Sequence, residues 1–568
     1  MIRRLVLAVV LVSLAAGWYA LLPPPARVLD TSAQPGLAPH VRGAFHVHTN
    51  RSDGTGTVDA VAAAAARAGL TFVVLTDHGD GTRDVDPPRY RDGVLTIDAV
   101  EISTDGGHVI ALGMPKAPFP LGGETRDVLE DIERLGGFAI VAHPGSAKPE
   151  LRWTDWSGPI AGLEWLNGDS EWRDESPWLL IRALLTYPGR QVESLGTLLD
   201  RPAEVLQQWD ALTRERRIVA VAAADAHARI GLGSIGEPYA TNTQSLHIPS
   251  YEESFRAFSN ALPHVVLNGD PQTDARAIAD EIRAGHLYSV VDAIAAPAMM
   301  SFTARSQAGE FNGGDVLAPS SGDVALRVTT NAPGDARIVL LKDGMEAATA
   351  NGAVLEHTAG GDVAVYRVEI HLPGAPGLPL VPWMLSNPIY VARPPVDVRP
   401  SPRPTGGGAA VRYDNGPADG WTIEKGPSSN AALDVVPSVG GTQLSFRYAV
   451  GGIASASPFA AAVMPAGPGL AGYTRLIFIG RADRPTRLSV QLRAPGGAAG
   501  ERWHRSVFLD QRAREVTIDF ADLRPRGATA RALPDLAAVQ SILFVADTVN
   551  TKIGTGGQVW IDDVRYGR

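Results

Sequence analysis

The sequence predicts a multidomain protein in which an α/β barrel is followed by two β domains. From about residue 40 to 305, short apolar runs alternate with helical stretches, which indicates a parallel sheet that closes into a barrel. From about residue 306, runs such as "DVALRVTT" and "AVYRVEIHL" alternate polar and apolar residues with period two, as in a β-sandwich. A further strand-rich region begins near residue 412.

The predicted boundaries follow these changes of pattern. A chain of 568 residues is too long for one hydrophobic core. We divide it into a targeting segment at 1–35, a barrel at 36–305, a β-sandwich at 306–395, a Pro/Gly-rich linker at 396–411 and a last β domain at 412–568.

Helix and strand signals repeat within the barrel region. "TVDAVAAAAARAGL" begins at Thr57, a favourable N-cap, and Gly69 interrupts the helix just before the strand "TFVVL". "ETRDVLEDIERLGG" precedes "FAIVAH" in the same way, and "RPAEVLQQWDALTRERRIVAVAAADAH" repeats the arrangement. The sequence therefore predicts strands whose carboxyl ends meet at one face of the barrel.

Composition excludes several classes of function. The net charge of −10 argues against a protein that binds nucleic acid by neutralising phosphates. The chain has no cysteine, which excludes disulfides, thiolate metal sites, a cysteine nucleophile and a lipoprotein anchor.

The N-terminus has the features of a targeting element. Arg3 and Arg4 precede an uncharged stretch from Leu5 to Leu22, which is long for a cleaved signal peptide. We expect either cleavage or retention as a single anchor in the inner membrane with the arginines inside. Both alternatives predict a periplasmic or extracellular location, with membrane contact through this segment only.

Histidines and carboxylates recur where apolar runs stop in the first 230 residues. They occur in "GAFHVHT", "SDG", "TFVVLTDH", "LTIDAVEIST", "GGHVIALG", "GGFAIVAHPG" and "RIVAVAAADAH". Side chains two apart on a strand point the same way, so His46 and His48 can share one ion. Any one motif also fits a strand with satisfied histidines, but burying all these groups at one barrel face is costly unless they bind metal or one another. Such ligands suit zinc, manganese or iron.

Taken in order, "FHVHT…SDG…TDH…EIST…AHP…DAH" resembles the PHP (polymerase and histidinol phosphatase) superfamily, in particular its exported branch related to carbamate hydrolases. The resemblance covers about residues 40 to 300 and implies a distorted (β/α)7 barrel that holds two or three divalent ions. The implied ligand groups are His46, His48, Glu101 and Asp225 for one ion, Glu101 with His108 and His143 for a second, and Asp53, His78 and His227 for a third.

Two implied ligands depart from the family pattern. Asp53 stands where some members have histidine, and a carboxylate ligand favours manganese or iron over zinc. His108 follows Glu101 by only seven residues and would lie at the wrong end of a parallel strand. It reaches the cluster if that strand is antiparallel or if the preceding loop folds in. A surface-loop histidine is the alternative.

We therefore predict a hydrolase that uses a metal-activated hydroxide, with a small-molecule or glycan-linked phosphoester as first choice of substrate. Asp225 or His227 could shuttle the proton, and Arg229 could bind a phosphate or carboxylate or simply lie in solvent. Amide, ester or carbamate hydrolysis by the same cluster is an alternative. A non-catalytic, metal-stabilised surface protein that binds polysaccharide is another.

Some further residues leave two interpretations open. Glu164 and Asn167 in "GLEWLN" either line the pocket or make contacts outside it. Five tryptophans between residues 153 and 178 either form an apolar wall for substrate or pack a chain excursion against the barrel.

The last domain, with "SILFVADTVNTKIGTGGQVWIDDVRY", looks like jelly-roll domains related to carbohydrate-binding modules. This resemblance implies a polysaccharide partner. Trp421, Tyr473 and Trp503 could stack on sugar rings, or they could pack in the domain core.

Overall fold

The computed structural model describes residues 2–32, 37, 40–231, 245–319, 322–391, 410–452, 458–496, 500–527, 529 and 531–568. The chain forms two compact units. The first unit comprises Met1–Gly79, Asp84–Pro115 and Leu129–Asp397, and the second comprises Asp80–Arg83, Lys116–Val128 and Val398–Arg568. Most of the predicted linker, residues 396–409, lies outside the described residues.

The α-helices in the described part of the chain all belong to the first 284 residues. They are α1 Ile2–Leu21, α2 Val58–Arg67, α3 Thr125–Arg134, α4 Gly168–Glu171, α5 Pro177–Thr186, α6 Gln191–Gly196, α7 Ala203–Thr213, α8 Tyr251–Ala257 and α9 Pro271–Ala284. The Thr57 side chain accepts a hydrogen bond from Ala60 N and caps α2, as predicted.

The first unit contains twenty-five of the described strands. The first fifteen are β1 Arg27–Val28, β2 Val41–Val47, β3 Phe72–Leu75, β4 Arg89–Arg91, β5 Val94–Asp98, β6 Val100–Thr104, β7 Gly107–Leu112, β8 Phe138–Val141, β9 Gly162–Asn167, β10 Val219–Ala226, β11 Ile230–Gly231, β12 Ser245–Leu246, β13 Ser259–Leu262, β14 Tyr288–Val290 and β15 Ala295–Ala296. The next ten are β16 Met300–Ser306, β17 Gly309–Asn312, β18 Val316–Leu317, β19 Asp323–Thr330, β20 Arg337–Lys342, β21 Met345–Asn351, β22 Val354–Gly360, β23 Ala364–His371, β24 Met384–Ser386 and β25 Ile389–Val391.

The sheet of residues 41–226 closes on itself. β2, β3 and β5 are parallel neighbours, β8, β9 and β10 are likewise parallel, and β10 pairs with β2. β6 continues the path of β5, and β7 pairs antiparallel with both β6 and β8. The carboxyl ends of the parallel strands and the amino end of β7 therefore meet at one edge, which positions the side chains considered below.

The regular alternation of strand and helix that a (β/α)7 barrel requires is only partly present. Helices connect β2 to β3, β7 to β8 and β9 to β10. β6 instead passes into β7 through a tight turn, where Gly107 adopts φ 118°. The hairpin replaces a crossover helix, because a two-residue turn can join antiparallel strands but not parallel ones. Membership of this barrel in the PHP superfamily stays a proposal.

The predicted boundary at residues 305–306 also stays a proposal. Residues on both sides of it belong to one unit, since β14 pairs antiparallel with β24. β19 coincides with the predicted strand "DVALRVTT", and its side chains alternate between exposed and buried. It belongs to a four-stranded sheet of order β17-β16-β19-β22.

The second unit is rich in antiparallel β-sheet. Its strands are β26 Ala410–Tyr413, β27 Thr422–Lys425, β28 Asn430–Ser438, β29 Gly441–Val450, β30 Phe459–Pro465, β31 Arg475–Ala482, β32 Thr486–Ala494, β33 Glu501–Leu509, β34 Arg514–Asp519, β35 Arg524–Arg526, β36 Ser541–Asp547 and β37 Thr555–Gly567. They form two six-stranded sheets, with a common apolar core that contains Phe446, Phe478 and Phe544. This arrangement is a β-sandwich.

Helix α1 is long and apolar enough to cross a membrane. It has 20 residues and a mean hydropathy of 2.0. A signal sequence near an N-terminus has the same properties, so cleavage and anchoring both stay open.

Candidate metal centre

The sequence-predicted ligands come from six elements that end or begin at one edge of the barrel. His46 lies in β2 and His48 directly follows it, while His78 follows β3 and Glu101 lies in β6. His108 lies at the start of β7, His143 follows β8, and Asp225 lies at the end of β10 with His227 just beyond it. Asp53 comes from the loop after β2. The structure thus brings together all nine residues that the sequence predicts as ligands.

The first group is fully enclosed. His46 Nε2 and His48 Nε2 lie 3.0 Å apart. Each of these nitrogens lies 3.2 Å from Glu101 Oε2 and 3.3 Å from Asp225 Oδ1. The two histidines are 0% exposed, so four donor atoms converge on one point that bulk water does not reach.

Glu101 connects this group to a second one. Glu101 Oε2 faces His46 and His48, and the same oxygen lies 3.2 Å from His78 Nδ1. Its Oε1 lies 2.7 Å from His108 Nδ1 and 2.9 Å from His143 Nε2. A carboxylate that turns one oxygen to each of two donor sets is suited to bridging two cations.

The third group surrounds Asp53 at the rim. Asp53 Oδ2 lies 3.2 Å from His227 Nε2, and Oδ1 lies 3.4 Å from His48 Nδ1 and 3.8 Å from His78 Nε2. One ligand atom from each of these four residues lies within 4.8 Å of the others. The side chains of Asp53, His78 and His227 are 13, 20 and 17% exposed, so this group is accessible to solvent, unlike the first.

The direction of β7 explains how His108 joins the cluster. Because β7 is antiparallel to β6 and β8, its first residues lie at the same edge as the carboxyl ends of the parallel strands. His108 is 5% exposed, which contradicts the surface-loop alternative.

The donor set fits divalent metal ions. Imidazole and carboxylate atoms bind zinc, manganese or iron at about 2.0–2.2 Å, which places neighbouring ligand atoms on one ion about 3 Å apart. The separations of 3.0 to 3.3 Å in the first group agree with that spacing. Two imidazole nitrogens that face each other at 3.0 Å need a proton or a cation between them.

The backbone is strained where it presents three of these ligands. His46, His143 and Asp225 adopt φ values of 64°, 31° and 45°, in the left-handed region that non-glycine residues rarely occupy. The register of β2 against its neighbours shifts around His46, as in a β-bulge. Strain of this kind costs about 1–3 kcal/mol per residue and is concentrated at functional sites.

The charges of the cluster's side chains compensate one another. Burial lowers the pKa of His46 and His48, but the surrounding carboxylates of Asp225 and Glu101 outweigh it, and the pKa of His48 rises to about 10. Burial likewise raises the pKa of Glu101 and Asp225, yet the adjacent histidines hold both pKa values well below their usual range. Burial lowers the pKa of His78 to about 4, so this imidazole is neutral and able to bind a metal at neutral pH.

No family model matches this chain, and no curated protein matches it. Among solved structures, a similar one is a two-domain protein from Bacteroides vulgatus containing a predicted PHP-like metal-dependent phosphoesterase. It matches at 14% identity and a TM-score of 0.28 over 61% of this chain and 94% of that chain. The C-terminal region is similar to the family 11 carbohydrate-binding module from Clostridium thermocellum, solved with a β-1,3-1,4-mixed-linked tetrasaccharide. That match has 15% identity and a TM-score of 0.25 over 28% of this chain and 95% of the module. At these values neither neighbour decides what this chain does.

Arg229 lies at the rim of the cluster. Its Nη2 is 3.8 Å from Asp53 Oδ2, and its side chain is 23% exposed. It lines a cavity together with Asp225, His227 and Trp172. The Arg229 guanidinium is therefore close enough to contact an anionic group bound at the third group of ligands.

The five tryptophans of residues 153–178 do not share one surface. Trp165 is buried and donates a hydrogen bond to Ser289 Oγ, and Trp153 is 3% exposed. Trp178 lies in α5 and is 67% exposed. The interpretation as a single substrate wall is therefore wrong, and Trp172 is the member that lines the cavity beside His227.

Glu164 and Asn167 hold the ligands in place. Glu164 Oε1 lies 2.6 Å from His46 Nδ1, while its Oε2 accepts hydrogen bonds from His143 N and Asn167 Nδ2 at 2.6 and 2.7 Å. Asn167 Nδ2 also donates to Asp225 Oδ2 at 3.1 Å. A carboxylate within the buried strand β9 is the sequence signal for this role, but the sequence alone does not say which ligand it contacts.

Replacing Glu164 with glutamine is expected to lower metal affinity by about 10- to 100-fold, as loss of an outer partner of a metal-bound histidine usually does. The glutamine amide has one oxygen, so it cannot accept hydrogen bonds from His46, His143 and Asn167 together, and its NH2 group is a donor. Competition with a chelator measures the affinity. Glu171→Gln is the matched control, because burial holds the pKa of Glu171 well above its usual range and glutamine resembles the protonated acid. Equal losses in the two variants would contradict the role of Glu164.

Proposed function

We propose that this chain is an exported, PHP-type, metal-dependent hydrolase that acts on phosphoesters. The observation that carries the proposal is Glu101, which turns one oxygen to His46 and His48 and the other to His108 and His143. A structural metal site needs one closed set of ligands, whereas this arrangement offers adjoining sets with an open rim.

The ligand assignment follows the three groups. His46, His48, Glu101 and Asp225 would hold one ion, Glu101 with His108 and His143 a second, and Asp53, His78 and His227 a third. When bound, divalent ions supply hydroxide near neutral pH and stabilise the charge that develops on a phosphoryl oxygen. Manganese or iron suits the carboxylate-containing rim group better than zinc does.

His227 is suited to hold the proton that the leaving group requires. Its Nδ1 lies 2.8 Å from the backbone oxygen of Asp225, which fixes the ring, and its Nε2 faces Asp53. Burial lowers the pKa of His227, but Asp53 and Asp225 raise it above its usual value. The Asp225 carboxylate is already engaged by His46, His48 and Asn167. In the form with two ions, in which His227 is not a ligand, we therefore assign the proton to His227 and leave Asp225 as a ligand.

Arg229 favours phosphoesters over neutral carbonyl substrates. A guanidinium forms paired hydrogen bonds to a phosphate, and its Nη2 already lies near the rim carboxylate. A carbamate or ester presents less negative charge at this position. Hydrolysis of amides, esters or carbamates by the same cluster is the second candidate.

We expect the purified full chain, loaded with manganese, to hydrolyse aryl phosphate esters faster than aryl carboxyl esters. Arg229→Ala should raise KM for the phosphoester by about 10-fold, the usual effect of one lost hydrogen bond to a charged group. Arg229→Lys is the control that keeps the charge and loses the paired geometry. Turnover of carboxyl esters or carbamates without phosphoester turnover would overturn the substrate assignment.

Binding of polysaccharide by residues 412–568 stays a proposal. Trp503 is buried in the core, Trp421 stacks on Phe544 and Tyr473 packs on Tyr566. The three aromatic residues that the sequence suggested as sugar platforms therefore pack within the domain. Glycan binding by the metal-loaded full chain, without hydrolysis of phosphoesters, carboxyl esters or carbamates, would support the non-catalytic alternative.

A further inference from the structure

Helix α5 presents large apolar side chains to the outside of the first unit. In "PWLLIRALLT", the side chains of Trp178, Ile181, Leu184 and Leu185 are 67, 49, 51 and 51% exposed. Their spacing places them along one side of the helix, and we call them the apolar stripe. Ala183 and Thr186 on the other side are buried.

This pattern differs from that of an ordinary surface helix. A helix that packs on a globular domain turns its apolar side inward and its polar side to water. The one charged residue of α5 is Arg182, and both sides of the helix carry apolar residues. A contiguous exposed patch of this kind is typical of a surface that contacts another apolar phase.

The end of α5 is fixed beside the end of α1. Trp18 Nε1 donates a hydrogen bond to the backbone oxygen of Leu185 at 2.8 Å. Gly189 packs against the same indole ring, where an added Cβ would come within 2.7 Å of it. The Arg190 guanidinium donates to Pro23 O, which holds the segment that leaves α1.

The sequence of α1 indicates the level at which this contact lies. Twenty helical residues span about 30 Å, the thickness of the hydrocarbon core of a bilayer. Arg3 and Arg4 mark the cytoplasmic end, while Trp18 and Tyr19 are the aromatic residues favoured at the opposite interface. Leu185, which accepts a hydrogen bond from Trp18, then lies at the membrane–water interface on the side away from the cytoplasm.

We propose that the apolar stripe of α5 inserts into the outer leaflet beside α1 and gives the protein a second contact with the lipid bilayer. An interfacial helix buries its apolar side at the level of the headgroups and keeps its basic residues among them, and Arg182 is the basic residue of α5. The inference rests on retention of α1 as an anchor and is independent of the hydrolase proposal. It goes beyond the N-terminal segment, which is the membrane contact predicted from sequence.

The absence of cysteine from the chain makes the test direct, because each introduced cysteine is a unique labelling site. Full-length Ile181→Cys and Leu185→Cys would carry an environment-sensitive fluorophore and be reconstituted into vesicles of phosphatidylethanolamine and phosphatidylglycerol. Nitroxide groups on the lipid near the headgroup should quench most of the emission at both positions. Leu11→Cys lies at the middle of α1 and reports its insertion through nitroxide groups placed near the ends of the acyl chains. Val266→Cys is a matched control that is 86% exposed in the loop between β13 and α9.

Quenching at 181 and 185 no greater than at 266, with Leu11→Cys quenched, would overturn the proposal. Failure of Leu11→Cys to be quenched would overturn it as well, because the anchor on which it rests would be absent. In a second variant, serine replaces all four residues of the apolar stripe. Since these side chains are 49 to 67% exposed, its unfolding midpoint in detergent should not change, and a marked fall would indicate packing against protein instead of lipid.

Discussion

Replacing Glu101 with glutamine is expected to lower kcat/KM for a phosphoester by more than the roughly 100-fold that marks the upper end for loss of an outer partner of a metal ligand. The same substitution should reduce the metal bound per chain. Mass spectrometry of the purified protein and initial rates with manganese measure the two effects. Glu101 turns one oxygen to His46 and His48 and the other to His108 and His143, so its loss affects two ligand groups at once.

The physical reason is the number of contacts that one carboxylate makes. Its two oxygens lie within 3.2 Å of five imidazoles, those of His46, His48, His78, His108 and His143. Glutamine keeps the shape but removes the charge and turns an amide N–H2 toward one set of ligands. Because Glu101 is 1% exposed, water cannot replace the missing acceptor.

A buried carboxylate away from the cluster provides the control. Asp274 is 1% exposed and accepts hydrogen bonds from Tyr90 Oη, Asn268 N and Gly269 N. Asp274→Asn should lower stability without changing the metal content. If Glu101→Gln retained its full metal content and its activity, the bridging role would be wrong, whatever its effect on the unfolding midpoint.

The types of residue in the site could be predicted from sequence, because histidines and carboxylates gathered at strand ends are costly to bury unless they bind metal or one another. Which of these residues share an ion could not be derived from local patterns. Glu101 meets His143 only because β7 is inserted as an antiparallel strand between β6 and β8, and no local pattern in "GGHVIALG" distinguishes the two directions. The family resemblance implied His108 as a ligand, and the antiparallel direction of β7 explains how this residue reaches the cluster.

Tertiary contacts also account for what sequence left open. The strand "GLEWLN" has one acid in an apolar run, and its function depends on the shift in register that turns His46 toward Glu164. In the same way, the apolar composition of "PWLLIRALLT" does not tell a buried helix from an exposed one. The clustered tryptophans suggested one apolar wall for substrate, but Trp165 is buried and Trp178 is largely exposed to solvent.

Bound metal is expected to stabilise the protein more at pH 9 than at pH 6. In the metal-free chain the pKa values of His46, His48 and His143 lie above the ordinary value, since burial, which lowers them, is outweighed by Glu101 and its neighbouring carboxylates. Groups with raised pKa values contribute stability that is complete below about pH 6.5, their pKa when unfolded. That contribution is lost as pH rises toward the folded value, which is about 10 for His48.

The carboxylates do not oppose this trend in the same range. The pKa values of Glu101 and Asp225 are lowered, so their contribution is complete above about pH 4 and is lost only as pH falls further. Between pH 6 and 9 the metal-free chain therefore loses stability, because the unfolded chain releases these protons near pH 6.5 while the folded imidazoles retain them. Metal binding requires neutral imidazoles and displaces the retained protons, so binding becomes more favourable as pH rises.

Unfolding midpoints of manganese-loaded and chelator-treated protein, measured at each pH unit from 6 to 9, test this expectation. The difference between the two forms should widen with pH, because each proton released on binding adds about 1.4 kcal/mol per pH unit. Calorimetry in buffers of different ionisation enthalpy should detect net proton release at pH 7. His286→Gln is the control: hydrogen bonds to Glu281 and Asp315 raise the pKa of His286, but this residue should affect both forms equally. A constant or narrowing difference would mean that the buried histidines do not exchange their protons for a metal ion.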